Sequence, residues 1–223
     1  MANQLDLQEQ EQLDDLKAFW KKYGNAITWV LTVVLLGFAG WNGWNYWQRE
    51  QAAKASALYE ALDKVVQAGD AAKTAQVFDD LKERHPRTVF AQQGGLLAAK
   101  LQFDKGQPDR AKAMLSWVAE NALEDEYRSM ARLRLAGLMM DNKQYDEAMK
   151  QLDAAKSPAF AGLVADRRGD VLLAQGKPEE AKTAYALAYK SLDERVEYRR
   201  LIDAKLTALG APPVAAAASG VAP

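Results

Sequence analysis

Lys105-Gly-Gln-Pro-Asp-Arg-Ala111, Asn142-Lys-Gln-Tyr-Asp-Glu-Ala148 and Gln175-Gly-Lys-Pro-Glu-Glu-Ala181 are three versions of one helix stop followed by one helix start. Gly106 and Gly176 suit the left-handed residue that ends a helix. Pro108 and Pro178 suit the first turn of the next helix, where a missing N–H costs nothing. Ala111 and Ala148 stand 37 residues apart, and Ala148 and Ala181 stand 33 apart.

The register runs outward from these turns in both directions. Seven residues before each lies a small side chain, Ala99, Ala136 or Gly169, which lets the two helices of a pair come close. Four residues after each alanine comes a large one, Leu115, Leu152 or Tyr185, and seven after it Val118, Ala155 or Ala188. These offsets trace one helical face. Together with the period they match the tetratricopeptide pattern of small, alanine, aromatic and alanine positions, near ~34 residues per unit. Ala99, Ala111, Ala136, Ala148, Gly169 and Ala181 are the residues that define the repeats. A degenerate first unit turns at Ala68-Gly69-Asp70, with Phe78 and Leu81 on its second helix and Pro86 at its close. The pattern predicts helix pairs over 51–68/70–84, 88–104/107–121, 126–142/145–156 and 160–175/178–191, with a last helix over 194–209 capping the stack. No run alternates as a strand would. A lone pair cannot bury its apolar face, so neighbours stack into a curved solenoid with a concave groove.

Composition removes most chemistry. With no cysteine, the chain has no disulfide, no thiolate metal site and no cysteine nucleophile. One histidine, His85, cannot build a metal cluster or a triad. Twenty-nine basic residues balance thirty acidic ones without a basic stripe, which argues against nucleic acid. No phosphate loop, HExxH or GxSxG occurs. The expectation is no enzyme, no cofactor and no metal.

Upstream of the repeats, no charge occurs between Lys22 and Arg49. The apolar heart holds Ile27, Trp29, Val30, Leu31, Val33, Val34, Leu35, Leu36 and Phe38, and Trp41, Trp44, Tyr46 and Trp47 crowd its far end. About twenty apolar residues cross a bilayer, and there the backbone must pair within itself, so the run is expected to be a helix. Trp20 and Tyr23 at one end and the tryptophans at the other read as interfacial belts. The acidic leader and the bulky aromatic exit favour a retained anchor over a cleaved signal peptide. Flanking lysines and arginines are nearly even on the two sides, so charge alone leaves the orientation open. Gly37, Gly40 and Gly43 form a candidate contact face in the membrane; glycine is also common in such helices without one.

The domain plan is thus an amphipathic leader (1–24), a transmembrane helix (25–48), a repeat domain (49–209) and an Ala/Pro-rich tail (210–223) expected to be disordered. In the leader, Leu5, Leu13, Leu16 and Phe19 alternate with acids, lysines close it, and Gly24 is placed to break or cap it. Within the repeats, Arg132, Arg134, Arg167 and Arg168 stand out. Either they face the groove and grip carboxylates or carbonyls of a bound segment, or they belong to helix-surface ion pairs such as Asp166 and Asp170 flanking Arg167.

Glu11-Gln-Leu-Asp-Asp-Leu-Lys17 leads to Phe19-Trp20 and Gly24, and further along stand Gly43-Trp-Asn-Tyr-Trp47, Arg132-Leu-Arg-Leu-Ala136 and Val164-Ala-Asp-Arg-Arg-Gly-Asp-Val-Leu-Leu-Ala-Gln-Gly176. In these stretches the chain resembles the YfgM family of ancillary SecYEG translocon subunits. The resemblance covers about 9–209 and leaves out the tail. It implies a single-pass inner-membrane protein with a cytoplasmic amino terminus and a periplasmic repeat domain. It also implies association with SecYEG and a PpiD-like periplasmic chaperone, a chaperone-like role toward unfolded secretory or outer-membrane proteins, and a regulatory link to the Rcs envelope-stress system. A regulatory tether, whose cytoplasmic leader holds a stress-response regulator, is the alternative.

Overall fold

The computed structural model describes residues 7–212. All regular structure among them is helical: α1 (Leu7–Gln67), α2 (Ala71–Arg84), α3 (Val89–Asp104), α4 (Pro108–Asn121), α5 (Asp125–Asp141), α6 (Tyr145–Ala154), a single 3-10 turn at Pro158–Phe160, α7 (Ala161–Ala174), α8 (Pro178–Ser191) and α9 (Tyr198–Ala208). Of the tail expected to be disordered (210–223), Gly210 and Ala211 bond back to the end of α9, while 213–223, like the first residues of the leader, lie outside the described residues. By its contacts the chain divides into two units, Met1–Gln51 and Ala52–Pro223.

In the first unit one expectation fails. Gly24 neither breaks nor caps a helix; α1 runs through it. Its φ is not in the left-handed region, and glycine there lowers helix propensity by only about 1 kcal/mol. Thr28 Oγ1 donates to the Gly24 carbonyl at 2.8 Å, Thr32 Oγ1 to Thr28 at 2.7 Å and Asn42 Nδ2 to Phe38 at 3.2 Å. These three polar side chains of the apolar run thereby donate back to the helix, as a hydrocarbon surrounding favours. Among the described residues this is the one helix long and apolar enough to cross a membrane. The protein leaves it uncovered: Trp29, Leu36, Phe38 and Trp41 are each about two-thirds exposed.

In the second unit the helices pair in sequence. Five of their ends share one hydrogen-bond pattern. At Gly69, Gly106, Lys143, Gly176 and Gly210 the chain enters the left-handed region, with φ of 70°, 71°, 59°, 76° and 73°. At Gly106 its own N–H donates to the Phe103 carbonyl (2.9 Å) and the next N–H, of Gln107, to Gln102 (2.8 Å), and the other four repeat this pair of bonds. This is the Schellman closure, which satisfies carbonyls orphaned at a helix end. After the first four of these ends the next helix starts at once, with Pro108 or Pro178 in its first turn or, at α2, Asp70 accepting from the Lys73 N–H at 3.0 Å.

Packing follows the small positions. Ala99, Ala111, Ala136, Ala148, Gly169 and Ala181 are all buried. At Gly169 the Tyr185 ring lies where a Cβ would be, 2.4 Å from it, so only glycine fits. Three buried clusters follow one another along the stack. The first joins Leu62, Phe78, Leu81, Leu115 and Leu135, the next Met139, Leu152 and Val171, the last Leu172, Tyr185, Ile202 and Leu206. Each carries the core across a repeat boundary, as a solenoid must. α9 starts four residues later than expected because Asp193 caps a turn instead, its carboxylate accepting from the Arg195 N–H at 2.8 Å.

Candidate peptide groove and the families it points to

The first helices of successive pairs line a concavity of about 630 Å³. Phe103 comes from α3, Met130, Leu133 and Arg134 from α5, Leu163 and Arg167 from α7, Phe160 from the turn before it, and Tyr198 from α9 closes one end. Phe103 is about half exposed, a large ring that the chain covers only in part. The surface is apolar with a few polar groups, the usual makeup of a binding cleft.

The four arginines divide evenly. Arg134 and Arg167 face the groove. Arg134 donates to the Leu96 carbonyl at 2.9 Å, and burial pulls its guanidinium somewhat below the ordinary arginine value. Arg132 points elsewhere: it donates to the Ala154 carbonyl and to Ala119 (3.4 Å), near the carboxyl ends of α6 and α4. One side chain thus closes two helix ends, where a cation also favours both dipoles. Arg168 bridges Asp153 of α6 at 2.6 Å.

Asp166 and Asp170 correct the surface-pair expectation. They do not flank Arg167 as an exposed cluster. Asp166 is 1% exposed, and Lys205 of α9 reaches both carboxylates, at 2.7 Å and 2.6 Å. The Tyr198 hydroxyl donates to Asp166 at 2.6 Å and the Tyr185 hydroxyl to Asp170 at 2.8 Å. Burial first, and then the acceptor carboxylate, push both phenols well above their usual range. This network pins α9 to α7. Its partners lie 32 and 39 residues from Asp166, a separation that no local motif announces.

The membrane positions form no enclosed site. At Gly37, Gly40 and Gly43 an added Cβ would meet nothing within 4 Å. The Trp44 and Trp47 rings lie tilted against each other, 5.3 Å between centroids. No cluster of metal-ligating side chains occurs among the described residues.

Comparison with known proteins fits this architecture. The tetratricopeptide repeat-like domain family matches residues 17–211. The ancillary SecYEG translocon subunit of Neisseria gonorrhoeae is 30% identical over 91% of this chain and 98% of its own length. The chain belongs to the ancillary SecYEG translocon subunit family. Members named alike include that of Haemophilus influenzae, 30% identical over 83% of this chain and 90% of its own, and that of Escherichia coli, 28% identical over 82% and 88%. Among solved structures, the nearly identical TPR-like repeats of a putative kinesin light chain from Podosopora anserina superpose with a TM-score of 0.52. They are 16% identical and the match covers 71% of this chain and 85% of theirs, so they share the fold. The family's repeat fold is therefore the one that builds the groove.

Proposed function

We propose that this chain is a single-pass inner-membrane subunit associated with the SecYEG translocon, with a cytoplasmic amino terminus and a periplasmic repeat domain. Its groove holds segments of newly translocated secretory or outer-membrane polypeptides, in concert with a PpiD-like chaperone. Membership of a family named for the translocon supports the association. The observation that carries the holding role is the groove itself, apolar, open and bordered by Phe103, Leu133 and Leu163. Residues 25–48 anchor the chain in the lipid bilayer, which covers the exposed apolar run. Holding a polypeptide needs no catalytic step. Photo-crosslinking in cells tests the reading. A photoreactive residue at Phe103, Leu133 or Leu163 is expected to capture newly exported chains, and one at the exposed Lys150 of α6 is not. Equal capture at both faces would overturn it.

The tether alternative draws on the leader. Leu13, Leu16, Phe19 and Trp20 are exposed on α1 beside Glu11, Asp14 and Asp15. That amphipathic surface is suited to a soluble partner such as a stress-response regulator.

A further inference from the structure

Arg134 and Arg167 occupy the same place in successive repeats, two residues before the small positions Ala136 and Gly169. Both face the groove, and among the described residues neither has a carboxylate within ion-pair distance. Arg167 has no hydrogen-bond partner among them either. Its Nη1 lies against α5, where a Cβ added to Gly137 would sit 3.5 Å from it. Gly137 is one turn beyond Arg134, so the two guanidiniums border one stretch of groove floor. Phe103, Met130, Leu133, Phe160 and Leu163 surround that stretch. Of the other charges there, Lys100 and Asp104 neutralise each other at 2.5 Å and Asp141 is the remaining acid, so cations prevail.

Covering these guanidiniums with an uncharged apolar segment would strip their water and return nothing, which is unfavourable. A segment that brings carboxylates regains charge-assisted, often bidentate, hydrogen bonds. We propose that the groove selects apolar polypeptide segments that carry Asp or Glu side chains, with Arg167 and Arg134 receiving the carboxylates. The inference rests on the reading of the groove as a polypeptide holder and narrows its clients. Two cations from two repeats call for acids along the segment; a chain terminus offers one carboxylate only.

The test uses the full-length protein in nanodiscs and short fluorescent peptides capped at both ends, identical except for two Glu, two Gln or two Lys among Leu and Phe. By anisotropy the Glu peptide is expected to bind ~10-fold tighter than the Gln peptide and the Lys peptide weakest. Added salt should shrink the difference. Arg167→Gln should remove most of the preference, weakening the Glu peptide and relieving the desolvation that the Gln peptide suffers. Arg167 has no hydrogen bond to lose, so this variant keeps the fold even if Arg134→Gln does not. Equal binding of Glu and Gln peptides would overturn the inference while sparing the holding role. A preference shown only by a Gln peptide with a free carboxyl terminus would also overturn it. If no peptide bound, the holding role would fall with it.

Discussion

Lys143 holds φ at 59°, a conformation that the equivalent turns give to Gly106 and Gly176. A Cβ in that region costs roughly 1–2 kcal/mol, and glycine avoids most of it at some entropic loss. Lys143→Gly is therefore expected to stabilise the repeat domain by about 1 kcal/mol, and Gly176→Ala to destabilise it by about as much. For a domain of this size that is ~2–4 °C in Tm, readable by circular dichroism in opposite directions. The spacing of Ala111, Ala148 and Ala181 aligns Lys143 with Gly106 and Gly176, yet the left-handed position was read from the sequence only at those two glycines. Residue type gave no such signal, since Lys carries no turn preference of its own. The same register led to Gly169 as a close-approach point, and the Tyr185 ring above it is the physical reason.

At the scale of elements, α9 depends on a few long-range bonds. Lys205 bridges Asp166 and Asp170, and Asp166 has almost no access to water. Lys205→Met should destabilise the domain by ~3 kcal/mol, the low end for breaking a buried pair because Lys205 itself is partly exposed. Hydrogen exchange should show α9 losing protection before the other helices, and Asp166→Asn in the same chain should return part of the loss. Nothing in the sequence foretold this network. The helices were legible because caps and periodicity act within a few residues, whereas an Asp on α7 and a Lys on α9 meet only when the stack exists. Arg132 shows the same limit. Its charge suggested a ligand, yet it closes the ends of α4 and α6. Gly24 shows the converse, a local breaker overruled because the helix around it continues to satisfy every backbone group.

For the molecule as a whole, the two units lend themselves to separate tests. Under the scaffold reading, deleting residues 1–20 should leave copurification with the translocon intact; under the tether alternative it should abolish the main interaction. The all-helical class, the repeats and the apolar span were legible because hydrophobic pattern and turn spacing are whole-chain properties. Orientation was not, because lysines and arginines lie almost evenly on the two sides of the span. The groove was expected as a shape, but which arginines face it depends on packing between repeats.

The pins on α7 have a further effect during synthesis. The ribosome adds Asp166 well before Lys205, and 39 residues separate them. Until then, burying Asp166 would leave its carboxylate without the ammonium that meets it in the folded domain, which disfavours closing the last repeat. The repeat that holds Asp166 is therefore expected to close only once α9 has followed it.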